Sequence, residues 1–426
     1  ALSQGPDWIS DWPATHSASQ VVCSLVVCSG VDYPQIGVPM NQISIWLMLA
    51  CGCHQSTKGD ASAPGDEEGG AGASADDSVE TPQSDSGGLE PSGSGDTGSA
   101  DSNGSPSWPG SERADRQAMV DGVVVAAQEF LASLDDLQRG QVQYTFDHPE
   151  RSDWSNLPHA VYSRQGVSFR ELNEERMALG WELIRVSLSA AGLERAQNIV
   201  QMEKLLWEDG DMNAFPGNYF FTFFDEPSAE TPWGWQLDGH HLALNFTVVG
   251  SEVTIAPSLW GTTPKTWPSG EHAGLSPMAA EEDLAFEWMA NLNEDQRALA
   301  QLGAGADPDL MAGPTSIQDE WPEPLGIPVT ALDSVQRARL LDWIAIYVGN
   351  LSESQAAERM AEIEEHLGDA SVAWMGGTNP GSMMYYRIQG SHVLIEFDHT
   401  RSADHAHAVY RDPTNDYGVN WLGKHL

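Results

Sequence analysis

Beyond residue 53 this 426-residue chain has no cysteine; Cys23, Cys28, Cys51 and Cys53 are its only four. The body of the protein therefore uses no disulfide, no thiolate metal ligand and no cysteine nucleophile, so any metal site there must be built from histidine and carboxylate. Basic residues are also scarce, with 20 Lys and Arg against 62 Asp and Glu, a net charge of −42. Such an excess argues against nucleic acid and anionic membrane surfaces as partners, because both attract cationic patches. Residues 54–118 have almost no large apolar side chains. They are mostly Gly, Ser, Asp, Glu, Ala and Pro, with 13 acids and 3 bases, a composition that cannot offset ordering entropy by burial and predicts a disordered acidic linker. Taking those residues, and the 3 acids of residues 1–53, from the totals leaves 46 acids and 17 bases in residues 119–426. That stretch is long enough for a sizeable core.

The short apolar run Ile43–Ala50 ends in Cys51-Gly52-Cys53 and runs straight into the linker. It is far too short to span a bilayer. It resembles a bacterial lipoprotein signal, with Met48-Leu49-Ala50-Cys51 as the lipidation box and Cys51 as the lipidated residue. Met48 stands where leucine is usual, no Lys or Arg precedes the run, and Met40 is an alternative start. The expectation is an exported protein, secreted or held to the cell envelope through a lipid anchor alone.

Within 119–426 the second half echoes the first. At an offset of 161, Arg176 matches Arg337, Leu179 matches Leu340, Leu183 matches Ile344 and Ile199 matches Met360. Further on, Gly239-His240-His241 and Gly390-Ser391-His392 repeat at an offset of 151, each opening a strand-like segment. Apolar spacing predicts helices through Leu179, Leu183, Val186 and Leu193, and through Leu340, Trp343, Ile344 and Val348. Strands are predicted at Phe220–Phe224, Leu242–Val249, Met383–Ile388 and Val393–Phe397. The fold class that follows is α+β, an internally duplicated unit of helix, helix pair and β-hairpin. Its lobes would cover about 119–270 and 271–426, with the hairpins meeting in a shared antiparallel sheet.

Trp233-Gly234-Trp235, the strand from Gly239 to Thr247, Ala273-Gly274-Leu275, Glu281–Leu284, Tyr386–Gly390 and the closing His405–Asp412 together resemble a bacterial family, domain of unknown function 3500. The resemblance covers about 120–424 and implies family membership without implying an activity. Asp398-His399-Thr400 departs from the Asp-Asn-Thr expected there, which makes His399 the least secure of the histidines.

Histidine is the commonest metal ligand, and the spacing of the histidines sorts them. Strand alternation puts His240 with Leu242, Leu244 and Phe246 on a core face, and His241 with Ala243, Asn245 and Thr247 on a polar, partly open one. The same parity groups His392, Leu394, Glu396 and Asp398, making His241 equivalent to His392 and Asn245 to Glu396. Residues four apart on a strand stand ~13 Å apart, too far to share an ion, whereas His405 and His407 stand ~6.6 Å apart on one face. A third ligand from the first hairpin, His241 or His240, would complete a three-histidine site with an open position. The leading expectation is a mononuclear Zn²⁺ or Cu²⁺ enzyme. Asp398 or Glu396 would serve as base or supporting partner, and Arg411 would orient a histidine or an anionic substrate.

Two other readings stand beside it. One is a non-catalytic surface module that holds a small molecule or carbohydrate through its histidines and through Trp233, Trp235, Trp260 and Trp267. The other is metal-free acid–base catalysis by His241 with Asp398. A serine hydrolase is poorly supported, since no Gly-x-Ser-x-Gly elbow occurs. Gly418 to Lys424 matches most of a phosphate loop, but His425 replaces its Ser or Thr and no helix follows.

Overall fold

A computed structural model describes residues 113–425, apart from 306–309, 315–320 and 322. The upstream segment with Cys51, and nearly all of the acidic linker, lie outside the described residues. Where the linker was expected to run on to 118, helix α1 already begins, spanning Arg113–Ser133.

Local signals set the helix boundaries. α2 (Asp136–Val142) starts at a capping box in which Asp135 accepts from the Gln138 N–H and Gln138 reaches back. α3 (Glu174–Ser187) follows an Asn173 cap, and α4 (Ala190–Glu208) a Ser189 cap. Leu193, expected to continue the stripe of Leu179, Leu183 and Val186, thus opens the next helix; the chain breaks at Leu188, which bridges to Leu351. α5 (Ala279–Ala290) precedes α6 (Glu294–Ala300), then come α7 (Ser334–Val348), α8 (Glu353–His366) and α9 (Val419–His425). Leu340, Trp343, Ile344 and Val348 of α7 are all buried, as their spacing predicts.

The strands form one large, mostly antiparallel sheet. The short strands β1 (Gln143–Tyr144) and β2 (Val167–Ser168) come first, followed by β3 (Phe220–Phe224), β4 (Trp233–Gly239), β5 (Leu242–Val249), β6 (Glu252–Thr254) and β7 (Ser258–Thr262). The second half contributes β8 (Gln301–Gly303), β9 (Ile327–Pro328), β10 (Ser371–Gly376), β11 (Met384–Gln389), β12 (Leu394–His399) and β13 (Ala406–Arg411). The order β1-β3-β4-β5-β7-β13-β12-β11-β10-β8 puts β7 and β13 side by side in the middle, with a hairpin outside each. Both predicted hairpins therefore share one sheet, as expected.

The sheet has two unlike faces. Leu244, Phe246, Trp260, Ile395, Phe397 and Tyr410 belong to the main core with the helices, and Trp235 stacks on Phe246 at 4.2 Å as Tyr386 does on Phe397 at 5.1 Å. The other face carries Asn245, Thr247, Glu396 and Asp398 around a small apolar cluster of Trp154, Ala243, Leu259, Ala312, Leu394 and Val409. Alternation correctly separates these faces. The polar one was expected to be partly open, but it is buried. The segments around Trp154 and Ala312 cover it and accept bonds from it: Gln236 donates to the Arg151 carbonyl at 2.7 Å, and Arg411 to those of Ala312 and Gly313.

Candidate metal centre

The β4–β5 connection places the first histidines. Gly239 pairs with Leu242, so His240 and His241 are the two residues of a tight turn and not strand positions. Strand parity therefore does not separate them, and the expected core-facing His240 is corrected: both rings lie on one side, stacked at 3.8 Å. The turn carries backbone strain, because His241 has φ 63°, a left-handed conformation uncommon outside glycine. Strain of this kind costs ~1–3 kcal/mol and persists where surrounding contacts over-determine it. Here the Gly261 N–H donates to the His241 carbonyl at 2.7 Å, and the Tyr219 hydroxyl to that of His240 at 2.9 Å. The glycine of the Gly-x-His motif is explained by the same tyrosine: a Cβ on Gly239 would come 2.2 Å from its ring.

Glu203 completes the turn's surroundings. Its Oε2 takes a 2.9 Å bond from His240 Nδ1 and its Oε1 a 2.9 Å bond from His241 Nδ1. α4, which carries it, is fastened by Arg195, whose guanidinium pairs with buried Glu281 at 3.1 Å and lies over the Trp260 ring. With Nδ1 committed to Glu203, His241 presents Nε2 on its opposite edge, 3.0 Å from His405 Nε2.

His405 and His407 arrive from the neighbouring strand. β13 pairs with β7 so that His407 stands opposite Gly261. His405 just precedes the strand, in a turn closed by the Thr400 N–H on the His405 carbonyl at 2.9 Å. Asp404 anchors that turn by accepting from the Lys265 N–H at 2.9 Å. His407 Nδ1 lies 2.9 Å from Thr400 Oγ1 and 3.4 Å from Asp398 Oδ1, and the Thr400 hydroxyl donates to Asp398, which leaves His407 Nε2 for the cluster. The ligand atoms of His241, His405 and His407 all lie within 4.8 Å of one another. Two nitrogens bound at ~2.0–2.1 Å to one tetrahedral ion stand ~3.3 Å apart, so small ring movements suffice for all three to share an ion.

The electrostatics favour ligation. Burial, then the neighbouring imidazoles, hold His241 far below the ordinary histidine range and bring His405 down to about 4, so both rings are neutral at pH 7. Burial pushes the Glu203 carboxyl up, opposed by His240. Carboxylates behind histidine Nδ1 atoms, here Glu203 and Asp398, are the usual means of fixing a ligand's tautomer and orientation. Among the described residues two groups, His241–His405–His407 and Glu203–His240–His241, could hold a metal ion.

The chain matches the family model described as protein of unknown function (DUF3500) over residues 116–419. It belongs to that family. Neither the curated proteins nor the solved structures contain a match.

In this DUF3500 protein the fold thus brings together His240, His241, His405, His407 and Asp398 of the expected site residues. Glu396 and Arg411 are not part of the cluster. Glu396 lies two residues along β12 from Asp398, its carboxylate taken by the Tyr385 hydroxyl and the Ala312 N–H. Arg411 holds Asp416 at 3.0 Å and the carbonyls of Ala312 and Gly313, fastening the cover over the polar face. Trp233, Trp235 and Trp260 are fully buried and offer no surface for a sugar to stack on. His399 faces the other way, with Nε2 2.9 Å from Glu282 Oε1 and Nδ1 accepting from the Met384 N–H. Burial alone would raise the Glu282 carboxyl, but bonds from His399 and Lys265 outweigh it and lower it.

Spacing among the histidines did not point to Glu203, Thr400 or Gly261. A signal for Glu203 was present: Ala196, Ile199, Val200 and Glu203 follow helical spacing, so a carboxylate falls on the buried stripe of α4. A buried acid at such a position needs a partner. Gly261 is set by crowding, since a Cβ there would lie 2.8 Å from His407 Cδ2 and 3.0 Å from His241 Cδ2.

Proposed function

We propose that this protein is a metal-dependent enzyme in which His241, His405 and His407 hold Zn²⁺ or Cu²⁺ through their Nε2 atoms. The observation that carries this reading is the convergence of three imidazoles from two separate parts of the chain, two of them backed by a buried carboxylate. Three histidines leave one position of a tetrahedral ion open, the arrangement used to polarise a carbonyl or phosphoryl oxygen or to activate water. Asp398 then orients His407 through Nδ1 and Thr400, and Glu203 orients His241. The small-molecule substrate would reach the ion from the side of His405, the least buried of the three.

We also read the chain as exported and lipid-anchored at Cys51, and as internally duplicated. Supporting duplication, β3, β4 and β5 reappear as β10, β11 and β12 at an offset near 151, and the strand order is mirrored about β7 and β13.

The test of the enzyme reading is the metal content of the full chain without a histidine tag, before and after His407→Ala, followed by a hydrolase substrate screen with and without chelator. Bound Zn²⁺ or Cu²⁺ lost in the variant, with chelator-sensitive turnover, is the expected result. Failure to take up either ion would sink the metal reading, and turnover that survives chelation would leave a metal-free acid–base reading, in which Asp398 lies beside His407 and His241 has Glu203 as its carboxylate.

A further inference from the structure

His241 belongs to both groups able to hold an ion, and it enters each by a different nitrogen. Nε2 faces His405 and His407, while Nδ1 faces Glu203, whose other oxygen meets His240 Nδ1. We propose that His241 is a bridging ligand between two divalent ions, one on His405 and His407, the other on Glu203 and His240.

Three observations carry this. The second group meets the same geometric condition as the first, its ligand atoms all lying within 4.8 Å of one another. Among the described residues, Glu203 has ion-pair distances to His240 and His241 only; Arg164 acts on it from farther off, as the last and smallest influence, and is itself engaged by Asp238 at 3.0 Å. A buried carboxylate whose nearest partners are imidazoles is only partly compensated, and a divalent ion would complete the compensation. Finally, the stacked rings present both Nδ1 atoms to that one carboxylate, giving a two-nitrogen, one-carboxylate set without any rearrangement of the chain. This is a ligand set suited to Zn²⁺ or Cu²⁺.

The proton count is simple. When the second ion binds, the proton that His240 carries on Nδ1 gives way to the ion and the ring takes one up on Nε2, while His241 gives up its Nδ1 proton to solvent and bridges as imidazolate. Ions on the two nitrogens of one imidazole stand about 6 Å apart, given metal–nitrogen bonds of ~2.0–2.1 Å. The proposal rests on the three-histidine reading for its first ion and goes beyond it for the second.

Titration of the tag-free full chain with Cu²⁺, followed by electron paramagnetic resonance, tests it. The expected result is two ions per chain with antiferromagnetic coupling, so that much of the copper signal disappears as the second equivalent binds. His240→Ala and, independently, Glu203→Gln should each return the protein to one ion with a full, uncoupled signal. One ion in the wild type, unchanged in number in both variants, would overturn the bridge and leave Glu203 as the carboxylate that orients two histidines. Two ions without coupling would also overturn it, placing the second ion elsewhere. No bound ion would instead overturn the three-histidine reading on which the proposal stands.

Discussion

The two hairpin tips of this sheet start from nearly the same words and end in opposite chemistry. Gly239-His240-His241 and Gly390-Ser391-His392 each join paired strands, and each glycine is there because something packs where its Cβ would be, Tyr219 in one case and Asp369 with Ala370 in the other. His241 is 1% exposed, bonded to Glu203 and within reach of His405 and His407. His392 is partly exposed, bonded to Ser391 and stacked on His366 at 3.6 Å. The difference comes from what surrounds each turn. The first tip sits beside the central β7–β13 pair and under the end of α4, which offers a carboxylate. The second borders the same central pair through β12, where Leu394 faces Arg411 of β13, but lies beside the end of α8 and meets another imidazole. A motif therefore becomes a site only where the topology supplies its second and third partners.

Exchanging single residues can break this comparison. The largest contrast is expected between His241→Ala and His392→Ala: the first should weaken Zn²⁺ or Cu²⁺ binding by more than about 100-fold, the second should leave it unchanged, as read by equilibrium titration of the full chain. Equal losses would mean that the two tips do the same work. Next comes Gly261→Ala. Its methyl would press on both His241 and His407 at 2.8–3.0 Å, so we expect ~10–100-fold weaker metal binding with an overpacking cost of ~1–3 kcal/mol in denaturant unfolding. Unchanged affinity would show that the rings have room to spare.

Asp398→Asn sharpens the comparison further, since Asp398 supports His407 as Glu203 supports His241. A ~10-fold loss of affinity with the fold intact is expected, and no loss would leave His407 oriented by Thr400 alone. The smallest effect concerns pH on the polar face beneath the first hairpin. Burial, then Asp153 and Asp238, raise the half-buried Glu150 carboxyl from 4.5 to about 7. A carboxyl whose folded value is raised contributes stability that is complete below about 4.5 and lost as pH rises through about 7. Glu150→Gln should therefore flatten part of the fall in stability between those limits, modestly because water screens the site. A steeper fall in the variant would reverse the sign of this contribution.

How much of this was legible beforehand depends on whether the information is local. Alternation in Leu242–Val249 and in Val393–Phe397 marked the faces correctly, because a period of two follows from strand geometry itself. The His405–His407 spacing pointed to a chelating pair, although His405 stands in the turn before β13 and not on the strand face that the spacing assumed. The turn at His240-His241 was missed because parity was carried past the end of the strand, where it no longer applies. Whether a polar face is open or covered depends on distant segments, here those around Trp154 and Ala312, which leave no mark on Asn245 or Glu396 themselves. Glu203 lay between these cases: its helix was predictable and its place on the buried stripe readable, but its partners came from 37 and 38 residues away.

The central claim is that three imidazoles bind one ion. Pulsed electron paramagnetic resonance on the full chain loaded with a single equivalent of Cu²⁺ tests it most directly, by counting coordinated histidine nitrogens. Three imidazoles, falling to two in His405→Ala, is the predicted result. A spectrum with one imidazole or none, unaltered by that substitution, would contradict it.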